Sequence, residues 1–320
     1  MKVSKTASAP IVEARYHNRK VRLARVKSQI PFWIMLLIPL AYFVLICYWP
    51  MFGLAMAFQD YKIGDPFLSM ESRWVGLKWF KYLFERPTFP RMVRNTLVIN
   101  FLNLLIAFPI SIGVALLLNE VRNKALKKWA SNISLLPYFI STVCVVSIVH
   151  NMFSLDGFVN QIIQKLGGEP ILFMSSVKWF RPLFIGSGIW QTAGFNAVVF
   201  TAAIAGIDPT LYEAAALDGS SRLKNMIHIT IPCIMPTIIT MLILRLGSMM
   251  SLGSEKILLM YVPENYEVSD VLSTYLYRAG LEQNKFSLAT AVGLVNAVCN
   301  VILVVISNRV SKKVSETSLW

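Results

Sequence analysis

Charge is what this sequence has least of. Only 15% of its 320 residues are Asp, Glu, Lys or Arg, against roughly 25% in soluble domains. With 55% hydrophobic residues, that shortage argues against a soluble domain and excludes disorder. Cysteine is also scarce. Cys47, Cys144, Cys233 and Cys299 all lie in apolar stretches without a CxxC or Cys/His spacing, so they read as packing residues and not as disulfides or metal ligands. No G-x-x-x-x-G-K-[ST] loop is present, so the chain should not itself cradle ATP phosphates. H-E-x-x-H, G-x-S-x-G and paired intramembrane carboxylates are missing too, which removes the usual constellations of a membrane-embedded enzyme. No internal repeat and no acid within the apolar stretches support a secondary transporter, which would want both.

What is present is length without polarity. About 20 consecutive apolar residues cross a bilayer as helix, and six stretches qualify: 32–58, 96–118, 133–149, 183–205, 231–252 and 288–307. The fold class is therefore all-α, a polytopic membrane protein with six transmembrane helices. The first stretch is overlong and carries Pro39 and Pro50, so a tilt or break is expected there. The third is short, and the fifth contains Pro232, Pro236 and Arg245. A cleaved signal peptide does not fit the first stretch, which is too long and lacks an A-x-A site.

The net charge of +14 belongs to topology and not to nucleic acid, because the basic residues flank apolar runs. With the N-terminus inside, the inside segments hold 17 Lys/Arg and the outside loops 13, while acids number 6 inside and 11 outside. The run Arg15, Arg19, Lys20, Arg22, Arg25 and Lys27 just before the first span places the N-terminus in the cytoplasm. The chain then divides into a basic cytoplasmic tail (1–30), a transmembrane domain (31–310) and a cytoplasmic C-terminal tail (311–320). Outside, Trp74 to Phe84 reads as an aromatic stretch at the membrane interface, and 271–277 as a segment that dips back as helix.

The most informative segment is the cytoplasmic loop 207–230. Asp208 suits an N-cap with Pro209 at the first helical position. A short Ala-rich helix over 211–217 follows, which Gly219 can end in a left-handed conformation. Ser220 or Ser221 can cap a second helix leading into the fifth span. The product is a compact helical knob that suits a groove on another protein; the plainer alternative is an ordinary inter-span loop.

Glu213, Ala214, Ala215, Gly219, Ile229 and Pro232 follow the Glu-Ala-Ala…Gly…Ile-x-Leu-Pro pattern, with Ile231 where Leu is usual. In this the chain resembles the permease subunits of bacterial ABC importers. Pro50-Met51-Phe52-Gly53-Leu54, Trp74-Val75-Gly76-Leu77, Asn95-Thr96-Leu97, Tyr266-Glu267-Val268 and Asp270 to Tyr275 resemble the maltose-permease-like, carbohydrate-uptake branch that handles oligosaccharides and polysaccharide fragments. The resemblance runs from about residue 30 to 310.

The resemblance implies a type I ABC importer permease fold in the bacterial cytoplasmic (inner) membrane. It implies a second homologous permease, two cytoplasmic ATPase subunits that bind ATP and Mg, and an extracytoplasmic solute-binding protein. This chain would bind no cofactor and catalyse nothing, moving a sugar by alternating access, with a peptide or anion importer as the nearest rival. Leu211, Tyr212, Glu213, Ala214, Ala215, Ala216, Leu217, Asp218 and Gly219 would form the ATPase-coupling element, with Glu213 making a polar contact and Gly219 the turn. For the substrate path, polar residues within spans are the candidates. Arg245 lies roughly 21 Å beyond Ile231 along the helix and suits sugar hydroxyls or a uronate carboxylate; a salt bridge to the partner permease or to Glu255 is the alternative. Trp190, Gln191 and Asn196 on the fourth span complete the set, with packing as the bland reading of Trp190.

Overall fold

The computed structural model describes residues 29–65, 72–247 and 253–315. Most of the basic tail (1–28), the end of the fifth stretch (248–252) and the last five residues fall outside them. The chain divides into two compact units, one up to Ala55 with 67–70, the other 56–66 with 71–320.

Six helices among the described residues are long and apolar enough to cross a membrane: Gln29–Phe58, Thr88–Glu120, Thr142–Lys165, Val177–Ala205, Arg222–Gly247 and Phe286–Ile306. They are called spans 1 to 6 below. Span 1 does not stay α-helical. It passes into a π-helix at Phe43–Tyr48 and a 3-10 helix from Trp49, close to Pro50, whose ring and missing N–H disfavour a regular α ladder.

In the larger unit, spans 2 and 4 pack side by side. Ala115, Leu116, Ala197, Phe200 and Ile204 meet Ile234 of span 5 in one buried cluster. A second cluster joins Ile99, Phe180, Leu183 and Phe184 to Ile257, Met260, Val268 and Val271 of the segment between spans 5 and 6. Leu83, Met92, Leu272, Tyr275, Leu288 and Val292 form the third. Gly194 permits the closest approach: a Cβ there would run into the carbonyl oxygen of Ser134. Small residues serve this purpose where membrane helices touch.

The third span starts later than the apolar pattern suggests. Residues 133–139 belong to an amphipathic helix, Lys124–Leu135, and a 3-10 turn, Leu136–Phe139. Pro137 and the extended Ile140 end that run, and Ser141 starts the span afresh by accepting from the Cys144 amide (3.3 Å). Hydropathy registers only that Ile133, Leu135 and Leu136 are apolar, so it runs the two elements together. The segment 271–277 is helical as expected, over Leu272–Tyr277.

Candidate functional sites

Between spans 4 and 5 the chain builds the knob. Asp208 Oδ1 accepts from the Thr210 amide (3.0 Å), Pro209 takes the first position, and the helix runs Pro209–Leu217. The Thr210 backbone and hydroxyl bonds hold the Asp208 carboxyl below its usual range. Gly219 turns left-handed (φ +71°). Its amide donates to Ala216 O (3.1 Å), and that of Ser220 to Ala215 O (2.9 Å), the paired bonds of a Schellman ending. Of the two serines, Ser221 is the cap: it accepts from the Lys224 amide (3.4 Å).

The second helix enters span 5 through a π-turn, Met226–Thr230. The Tyr212 hydroxyl meets Thr230 Oγ1 at 2.9 Å, and the Thr230 hydroxyl also reaches Asn225 O (3.4 Å). The knob helix is thus fastened to the root of span 5. Apolar tips on both helices of the knob stay uncovered: Leu217 is 91% exposed, Leu223 69% and Leu211 45%. Glu213, Ala214, Ala216, Asp218 and Gly219 are exposed beside them, while Tyr212 and Ala215 are half-buried.

A cavity of about 120 Å³ opens between spans 2, 4 and 5. Its walls carry Asn100, Asn103, Ser111, Asn196 and Arg245, with Phe108, Phe195 and Phe200 between them. Amides and a guanidinium supply directed donors and acceptors, and the rings supply flat apolar area, a combination suited to a polyhydroxylated ligand. Arg245 and Asn196 therefore share one site. Trp190 stands elsewhere, on an apolar cavity with Met152, Phe153 and Pro182. Gln191 donates to Ile140 O (3.0 Å), holding the start of span 3 against span 4. Asn100 was not a sequence candidate, yet the helical spacing of Asn100, Asn103 and Ser111, with the small Ala107 between them, marks a polar face on span 2.

At the end of span 4 away from the knob, the segment between spans 5 and 6 is locked down by buried polar groups. Asn95, fully buried, donates to Glu267 O (2.9 Å) and Asp270 O (3.0 Å) and accepts from Arg181 Nη2 (3.1 Å). Asp270, 3% exposed, accepts from Arg278 Nη2 at both oxygens (2.9 Å each) and from Thr274 (2.8 Å). Burial works against the Arg278 charge, but the Asp270 carboxylate more than offsets it and holds the guanidinium above its ordinary range. The Leu272 amide donates to Thr96 Oγ1 (3.2 Å). Lys256, on the helix Ser254–Met260, reaches in to donate to Phe184 O (2.8 Å), and burial brings its amine down to about 8.

This architecture has relatives. Residues 107–316 match the family model described as binding-protein-dependent transport system inner membrane component. The chain belongs to that family. It is 44% identical over 319 residues, 98% of each chain, to the polygalacturonan/rhamnogalacturonan transport system permease protein YteP of Bacillus subtilis (strain 168). Against protein LplB of the same organism it is 43% identical over 289 residues, covering 89% of this chain and 90% of that one. Among solved structures it resembles a chain of a bacterial ABC transporter involved in the import of the acidic polysaccharide alginate. There the identity is 40% and the TM-score 0.84, over 92% of this chain and 99% of that one. A second structure, of the alginate transporter in complex with alginate pentasaccharide-bound periplasmic protein, gives 39% and 0.85 over the same shares. The permease is a multi-pass inner-membrane protein with the ABC importer permease fold.

Proposed function

We propose that this permease carries an oligosaccharide across the inner membrane as one of two homologous transmembrane subunits. Two cytoplasmic ATPases, which bind ATP and Mg, drive it, and an extracytoplasmic binding protein delivers the sugar. The N-terminus, the C-terminus and the knob face the cytoplasm. The observation that carries this reading is the knob itself: a rigid, doubly capped helix with uncovered leucines, standing where an ATPase cleft would receive it.

ATP binding would draw the ATPases together and displace the knobs of both permeases. Tyr212 and Thr230 would pass that displacement into span 5, which bears Arg245 on the cavity wall. The cavity would open outward, take sugar from the docked binding protein, and return inward after hydrolysis, a population shift set by differential partner contacts. Asn196 and Arg245, with Asn100 and Asn103 of span 2, are the substrate contacts this reading favours. Trp190 and Gln191 serve packing.

The test uses the complex reconstituted in vesicles. Glu213→Ala or Gly219→Leu should cut binding-protein-stimulated ATPase activity at least about tenfold, about 1.4 kcal/mol of coupling, while membrane insertion is unchanged. Normal stimulation in both variants would overturn the coupling role.

A further inference from the structure

The helix Lys124–Leu135, between spans 2 and 3, takes no part in the reading above. It starts four residues after Glu120, where span 2 ends. Ala115 and Leu116 near that end pack with Ile204 of span 4, so the helix starts on the knob side of the membrane. Asn123 caps it, its Oδ1 accepting from the Ala125 and Leu126 amides (2.9 and 3.2 Å). Near its other end the Ser134 backbone meets span 4 at Gly194. Gly194 stands eleven residues before Ala205, the knob-side end of span 4, which is about 17 Å of helix. The helix therefore leaves the membrane surface and climbs obliquely inward.

At about 100° per residue, its sides divide three ways. Lys127, Ala130 and Ser134 fall on the half-buried side that faces span 4. Lys124, Lys128 and Asn132 form an exposed row at i, i+4 spacing. Leu126, Trp129 and Ile133 form a second exposed row, with Trp129 68% exposed, and the turn beyond adds exposed Leu136 and Phe139. The ion pairs among the described residues are Lys78–Asp60, Lys81–Glu85 and Arg278–Asp270. Lys124 and Lys128 join none of them, and neither does Arg122 in the link from span 2.

A basic row beside an apolar row, with a Trp where they meet, suits a helix seated at headgroup level: rings and branched chains enter the acyl region while ammoniums snorkel to phosphate. Lys124 and Lys128 are one turn apart, about 6 Å, a spacing that one phosphate can bridge. An apolar protein face would cover Trp129 and Ile133 but leave both ammoniums without a counter-charge. An anionic phospholipid meets both rows with one molecule, its phosphate at the start of the helix and its chains along the climb.

We propose that Lys124, Lys128 and Trp129 form a binding site for an anionic phospholipid of the cytoplasmic leaflet, and that the seated lipid holds this helix against span 4. That the leaflet is the cytoplasmic one rests on the topology in the reading above. The contact at Gly194 lies two residues from Asn196 on the cavity wall, so the lipid bears on the span that lines the cavity.

The experiment places the assembled importer in nanodiscs of phosphatidylcholine with brominated phosphatidylglycerol or brominated phosphatidylcholine. Quenching at Trp129 is taken as the difference between the wild type and Trp129→Phe. Brominated phosphatidylglycerol should quench it at a concentration at least about fivefold lower than brominated phosphatidylcholine. Lys124→Gln with Lys128→Gln should abolish that preference, and Lys124→Arg with Lys128→Arg should keep it within about twofold. Co-elution with the ATPase subunits checks assembly; Lys128→Gln alone serves if the double variant fails to assemble. Equal quenching by the two lipids, or a preference that survives the double Gln change, would overturn the proposal. So would the absence of quenching by either, which would assign this face to the second permease or to an ATPase. Nanodiscs present the same mixture in both leaflets, so this result does not depend on orientation. Labelling of Asp218→Cys by an impermeant maleimide from outside intact cells would instead overturn the topology, and with it the choice of leaflet alone.

Discussion

Replacing Asn95 by Ala tests whether the buried polar lock holds the segment between spans 5 and 6. Three hydrogen bonds disappear together, two to backbone carbonyls and one from a guanidinium. At about 1 kcal/mol for each neutral bond and about 2 for the charged one, the loss is about 4 kcal/mol. The Glu267 and Asp270 carbonyls and Arg181 Nη2 are left to find water in a site where Asn95 is wholly buried. Thr96→Val, which removes the acceptor of the Leu272 amide, should cost less, about 1–2 kcal/mol. The assay is thermal inactivation of the detergent-solubilised protein followed by size-exclusion fluorescence, read as a rate because membrane proteins of this size unfold irreversibly. Limited proteolysis after residue 253 reports the local effect. If Asn95→Ala inactivates with the wild type and shows no new cleavage there, the lock does not hold the segment and the reasoning fails.

Two further outcomes follow from the geometry. Gly194→Ala should destabilise by about 1–3 kcal/mol through forced separation of span 4 from the Ser134 backbone, whereas Gly186→Ala, where a Cβ meets nothing within 4 Å, should not; equal melting of the two variants contradicts the packing argument. Tyr212→Phe should leave co-purification with the ATPase intact and lower stimulated ATPase activity several-fold, and adding Thr230→Val should cost little more, because both remove the bond they share and Thr230 loses besides only its long bond to Asn225 O; additive losses in that cycle would show that the two hydroxyls do not act as a pair.

How much of this was legible in the sequence depended on the range of the interaction. The knob is local chemistry. Asp208-Pro209 at its start and Gly219-Ser220-Ser221 at its end are cap residues whose partners lie two to five positions away, so the sequence alone foretells the turn. The six spans are composition, and the described helices overlap all six apolar stretches, the fifth as far as Gly247. The third moved because hydropathy averages across Pro137 and Ser141, which decide the backbone there. Asn95 and Asp270 stand 175 positions apart. Asn95 reads alone as an ordinary polar residue at a span edge and Asp270 as one in a loop, and nothing nearby in the chain says that they will meet.

Lys256 is the harder case, and it shows what kind of residue escapes both kinds of reading. In the sequence it is a loop lysine beside Ile257, Leu258 and Leu259, unremarkable because snorkelling lysines commonly border apolar runs. The fold then half-buries it, and among the described residues it joins no ion pair. For Asp270 the fold supplies the opposite charge within 2.9 Å, so its cost is met inside the chain and its role ends with stability.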